Sequence, residues 1–130
     1  MKPADELKLR TKNFALRIIK LFRGLPPSDE ARILGRQLLR SGTSVGANYR
    51  ATCRSRSAAE FVARIGIVVE EIDETVYWLD LLVESGIISQ SRLSPLQNEA
   101  TELFRVFLAS QLTAKSNRRS HSSDRQFLNS

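Results

Sequence analysis

A single cysteine, Cys53, and a single histidine, His121, leave this 130-residue chain poor in the side chains that most often bind metals or perform nucleophilic chemistry. One cysteine excludes an internal disulfide, and one histidine far along the chain excludes a zinc site of Cys/His type. No apolar run approaches the ~18 residues of a membrane span, and the opening MKPADELKLRTK has no apolar stretch of signal-peptide kind. The chain is therefore expected in the cytoplasm. No nucleophile stands with a base, so an enzyme is not expected, even with a site between subunits, and no cofactor is implied. No segment alternates with the period of a strand, and no internal repeat occurs.

What remains is helical. Apolar residues make up 42% and charged residues 26% of the chain, too apolar for intrinsic disorder, and the length suits one domain. Leu7, Phe14, Ile18, Leu21 and Phe22 recur at helical spacing, so a first helix is expected from about Asp5 to Arg23. Gly24 and Pro26-Pro27 stop it, and Ser28 with Asp29 and Glu30 opens the next. Ser57-Ala58-Ala59-Glu60 has the capping-box pattern, and the helix it starts keeps a periodic face from Phe61 to Val83, ending at Gly86 in a left-handed cap. Ser94-Pro95-Leu96-Gln97 suggests a fourth start, with proline at the tolerated first position. The expectation is an antiparallel up-down-up-down four-helix bundle over residues 1–115, followed by a disordered basic tail over 116–130.

The second helix, read over Ala31 to Cys53, organises the rest. At 100° per residue, Leu34, Leu38, Ser41, Val45, Tyr49 and Thr52 fall in a core-facing sector about 80° wide. Gly35, Gly42, Gly46 and Cys53 form a flank of little bulk, where another helix could approach closely. On the opposite side Arg32, Arg36, Arg40, Arg50 and Arg54 share one face. Charge is segregated: residues 1–24 carry a net +5 and 25–56 a net +4, whereas 57–89 carry −6, within a total of +6.

Two readings of the arginine face compete. Guanidinium groups pair with phosphate oxygens, so Arg32, Arg36, Arg40, Arg50 and Arg54, aided by Lys8, Lys12 and the basic tail, form a candidate nucleic-acid surface. The same row could instead be a solvated face, or be neutralised by acids of the third helix. No aromatic interleaves it, so contact with structured RNA or DNA through shape and backbone is expected rather than stacking on single strands. Glu71, beside the core sector of the third helix, is expected to form a structural ion pair with an arginine of the second. Asn48 is read as a register or backbone contact, and Cys53 as a small buried hydrophobe. Tyr77, Trp78 and Leu81 belong to a second apolar set that one neighbour cannot cover, which points to an oligomer interface.

The segments LLRSGTSVGANYRATCRSRS and EFVARIGIVVEEIDETVYWLDLLVESGII together resemble the four-helix-bundle family also called the 23S rRNA intervening-sequence protein family. The resemblance runs from about residue 5 to 113 and is most specific between Ser41 and Leu82. It implies an antiparallel bundle assembling as a ring-shaped homopentamer in bacterial cytoplasm. A similar architecture is used by the accessory variability proteins of diversity-generating retroelements, basic pentamers that bind nucleic acid and a reverse transcriptase. This chain departs from the commonest pattern of the family, with Gly46 where proline is usual and Tyr49-Arg50-Ala51-Thr52 where Ile-Ala-Glu-Gly is usual. The function expected is a non-enzymatic nucleic-acid-binding scaffold or accessory factor; the alternative is an adaptor between proteins with no nucleic-acid role.

Overall fold

The computed structural model describes residues 2–129, with side chains described for residues 2–120. Four helices follow in order: α1 (Pro3–Arg23), α2 (Asp29–Thr52), α3 (Ala58–Glu84) and α4 (Gln90–Asn129). Their ends form where short polar residues satisfy exposed backbone groups. Ser28 Oγ accepts from Ala31 N at 3.3 Å, and Ser57 Oγ accepts from Glu60 N at 3.0 Å. Glu60 returns the favour one residue early, its Oε2 accepting from Arg56 N at 3.0 Å. At the end of α3, Gly86 adopts φ 80° while its N–H reaches Val83 O and Ile87 N reaches Leu82 O. That double bond is the Schellman closure, and glycine enters it without the Cβ clash of an L side chain.

Packing pairs run in opposite directions. Along α1 and α2, Phe22 lies against Gly35, Ile18 against Gly42 and Thr11 against Gly46. Along α2 and α3, Ser41 meets Thr75 and Ala51 meets Arg64; along α3 and α4, Asp80 meets Gln97 and Gly66 lies near Gln111. One number falls as the other rises, so each helix is antiparallel to the next, as short links demand. The first and last helices touch far less than the sequential pairs. Arg10 ties them together, its Nε 3.0 Å from Glu99 Oε2 and its Nη2 2.6 Å from Glu99 Oε1 and 3.1 Å from Glu102 Oε1. This forked pairing holds the Arg10 guanidinium above its ordinary value.

The core is built from Phe14 and Ile18 of α1, Leu38, Val45 and Tyr49 of α2, Ile65, Ile72 and Leu79 of α3, and Leu103 and Phe107 of α4. Tyr49 and Phe107 rings sit 5.1 Å apart, joining α2 to α4 through the centre. The core stripe expected on α2 is buried or half-buried throughout. Its serine is satisfied: Thr75 Oγ1 lies 2.9 Å from Ser41 Oγ and 2.8 Å from Glu71 O. No buried side-chain nitrogen or oxygen among the described residues lacks a partner.

One sequence expectation about α4 changes. The helix starts at Gln90, so Pro95 lies inside it rather than at its first position. Proline there removes one N–H bond, and the carbonyl four residues earlier belongs to Ser91, which is exposed to water. Gln97 donates from Nε2 to Asp80 Oδ1 at 3.0 Å and accepts from Gln90. At the other end α4 runs to Asn129, its residues beyond 115 covering the segment expected as a basic tail. No glycine or proline follows Pro95 to stop it. The boundary near Lys115 marks where partial burial gives way to exposure, since residues 116–120 are exposed, and the side chains of 121–130 lie outside the described residues.

Glycine positions predict changes of opposite sign. A Cβ at Gly42 would lie 2.9 Å from Ile18 Cγ1 and 3.0 Å from its Cγ2, atoms of a stiff, β-branched side chain. Gly42→Leu should therefore lower unfolding free energy in urea by about 1–3 kcal/mol. At Gly66 the nearest atom is the mobile end of Gln111, 3.1 Å away, so Gly66→Ala should raise stability by up to ~1 kcal/mol through helix propensity.

Candidate nucleic-acid interface

The five arginines of the row do not act together. All are exposed, but the helical repeat sets Arg40 about 80° round the axis from Arg32 and Arg50, which leans it toward α3. There it pairs with two acids one turn apart: Nη1 lies 3.3 Å from Glu71 Oε2, and Nη2 contacts Glu74 Oε1. Glu74 is fixed further by Trp78, whose Nε1 donates to it at 3.2 Å. The Arg40 contact holds the Glu74 carboxyl below its ordinary value, against an opposing push from burial, with Trp78 adding to the lowering. Because Arg40 remains 48% exposed, solvent screens the pair, which is worth no more than ~1 kcal/mol.

On the other side of the row the chain forms a groove. Arg50, in the last turn of α2, and Arg54, just past its end, stand with Lys8 and Lys12 of α1 around a groove of about 560 Å³. Leu9, Thr11, Ala15, Thr43, Gly46 and Ala47 complete its lining. The hydroxyl hydrogens there are already used: Thr11 Oγ1 donates to Leu7 O at 2.8 Å and Thr43 Oγ1 to Leu39 O at 2.7 Å. The four cations are thus the donors a ligand would meet. None of the four has a carboxylate within ion-pair range among the described residues. Arg50 also complements the negative end of the α2 dipole, a stabilising role that needs no ligand.

The remaining candidates separate. Arg32 and Arg36 are exposed but lie outside the groove lining. Tyr77 points outward at 56% exposure with its ring 5.1 Å from that of Trp78, while Trp78 and Leu81 are half-buried and Trp78 packs on the core. Tyr77 also joins Glu70, Asp73, Glu74, Val76 and Asp80 in an acidic patch on α3. Asn48 Nδ2 donates to Ser44 O at 2.9 Å, within its own helix. Cys53 is half-buried beside Tyr49, and burial pushes the Tyr49 phenol up from its ordinary value. Among the described residues no group of three His, Cys, Asp or Glu side chains is placed to hold a metal, and no helix is long and apolar enough to cross a membrane.

Two contributions escaped sequence reasoning. One is the Arg10 clamp, since helical periodicity shows a face but not which distant acid meets it. The other is the small-residue floor of the groove, Ala15, Thr43 and Ala47, which becomes visible only when α1 is laid on α2. Arg64 also acquires a role, its Nη1 donating to Ala51 O at 3.3 Å near the end of α2.

Geometry and charge together define an all-α bundle with a cationic groove between its first two helices and an acidic patch on its third. The chain belongs to the 23S rRNA-intervening sequence protein family, which matches residues 6–109. It is similar, at 31% identity and a TM-score of 0.78, to the crystal structure of a protein of unknown function from the S23 ribosomal protein family of Bacteroides thetaiotaomicron; the match covers 85% of this chain and 98% of that one. No curated protein matches.

The Glu74 carboxylate gives a pH prediction. A carboxyl whose folded value is depressed stabilises the fold above its unfolded value, here about 4.5, and loses that contribution as pH falls toward the folded value. Glu74→Gln should lower stability at pH 7 by no more than ~1 kcal/mol and flatten the fall of Tm below the ordinary carboxylate value, measured by circular dichroism.

Proposed function

We propose that this protein is a non-enzymatic scaffold or accessory factor of the bacterial cytoplasm that binds nucleic acid through the α1/α2 groove. One observation carries the reading: Lys8, Lys12, Arg50 and Arg54 converge from two helices without carboxylate partners among the described residues, while Arg40 of the same row is occupied by Glu71 and Glu74. Cations left unpaired in this way attract polyanions and release condensed counterions on contact. The ribosomal names of the family and of the Bacteroides relative accord with a nucleic-acid setting. Neither name refers to a retroelement, and a reverse-transcriptase partner forms no part of the proposal.

Binding of the nuclease-treated protein to structured RNA and duplex DNA across a salt series tests it. The logarithm of affinity should fall with the logarithm of salt by about 0.9 per duplex phosphate contacted. Lys8→Ala, Lys12→Ala, Arg50→Ala and Arg54→Ala combined should flatten that slope, whereas Arg40→Ala should leave it nearly unchanged. Folded protein that binds neither nucleic acid at low salt would sink the reading and favour an adaptor whose basic groove docks an acidic protein.

Self-association belongs to the same proposal, because Ile67 and Tyr77 stand 44% and 56% exposed on α3. A homo-oligomer, of five subunits on the family resemblance, would cover them. Tyr77→Lys should then lower the molar mass measured by light scattering, with the helical signal kept; an unchanged mass would remove α3 from the interface.

A further inference from the structure

The four cations explain attraction to phosphate but not the surface between them. Leu9, Ala15, Gly46 and Ala47 give the groove an apolar floor, whose hydroxyl neighbours have their hydrogens committed to backbone carbonyls. An ion of phosphate size would use the rim and leave the floor in water. Two packed helices lie ~8–10 Å apart, so the furrow between them admits one extended strand but not the body of a duplex. In a duplex the bases turn inward and only phosphates and sugars face a protein at the backbone. In a single strand, sugars and base edges are able to rotate onto an apolar surface while phosphates reach cations on either side.

We infer that the α1/α2 groove seats a single-stranded stretch of nucleic acid, its phosphates on Lys8, Lys12, Arg50 and Arg54 and its sugars on the floor of Ala15 and Ala47. This rests on the nucleic-acid reading above and narrows it, departing from the expectation of structured targets that the lack of aromatics in the arginine row favours. No aromatic side chain lines the groove, so the strand is held without stacking and with little preference among bases.

The test separates floor from rim. Ala47 is exposed on α2, so Ala47→Leu fills the floor, keeps every charge and suits a helix; Ala15→Leu does the same from the opposite wall. Fluorescence anisotropy would follow unstructured RNA and DNA strands of one mixed sequence, and the duplex made from that sequence, at fixed salt. Wild-type protein should bind the strands about tenfold more tightly than the duplex, and each leucine variant should lose about tenfold on strands with duplex affinity unchanged. Arg50→Ala with Arg54→Ala should weaken both. A preference for RNA over DNA would assign the strand's source; equal affinity would leave the shared backbone as the ligand and support the inference equally. Leucine variants that melt like wild type and bind strands as well would overturn the groove inference while leaving the charged surface in place. Equal competition by polyglutamate of matched charge would overturn it too, because the groove would then read charge alone. No binding of any nucleic acid by wild-type protein would instead remove the broader function on which the inference stands.

Discussion

The axis of α1 comes close to α2 because the flank of α2 that faces it carries no Cβ at Gly35, Gly42 or Gly46. Leu25 and Phe22 occupy the space a side chain would take at Gly35, Ile18 that at Gly42 and Thr11 that at Gly46. Each glycine forgoes up to ~1 kcal/mol of helix propensity relative to alanine, so the contact with α1 must offset that loss. The approach has consequences on both sides of the seam. Inward, it seats Phe14 and Ile18 in the core, fully excluded from water. Outward, it brings Lys8 and Lys12 beside Arg50 and Arg54 and makes the floor from small residues, because nothing larger fits where two backbones nearly meet. Since α1 has only a thin contact with α4, its position depends on the glycine seam and on the Arg10 clamp to Glu99 and Glu102.

Charge follows the same partition. The acids of the third segment are not spread evenly over its surface: Glu71 and Glu74 pair with Arg40, and Glu74 also lines an acidic patch with Glu70, Asp73 and Asp80. Neutralisation therefore takes place at one point of the α2/α3 seam and does not reach the α1/α2 groove. Two faces of opposite sign remain on one small molecule, a distribution that orients it toward a polyanion before contact.

The fold was largely legible in the sequence because its helices are amphipathic and most of their ends carry side-chain signals that operate locally. Ser28, Ser57 and Gly86 act on backbone groups within a few residues, so pattern alone locates them. Pro95 misleads for the same reason. It resembles a start signal beside Ser94, yet Leu93 and Ile88 are buried, and packing extends the helix upstream through the proline. Beyond Lys115 the loss of apolar period reports a loss of burial, and residues 116–120 are exposed accordingly. The site was legible only in part. Periodicity put five arginines and two lysines on outward faces, but the angle between faces of different helices is a property of packing.

Arg40 and Arg50 make that difference concrete. They lie on one side of one helix, and sequence gives them the same residue type, exposure and apparent purpose. A fan of about 80° is enough to send one toward α3 and the other toward α1. Arg40 meets two carboxylates there and is locked as a strut between helices; Arg50 meets lysines and small residues, and its charge stays available. A row of like charges on a helix is thus a set of directions rather than a surface. Under the proposed function, the number of phosphates engaged would be set by the cations that share a groove, which the glycine seam decides, rather than by the number of arginines that share a face.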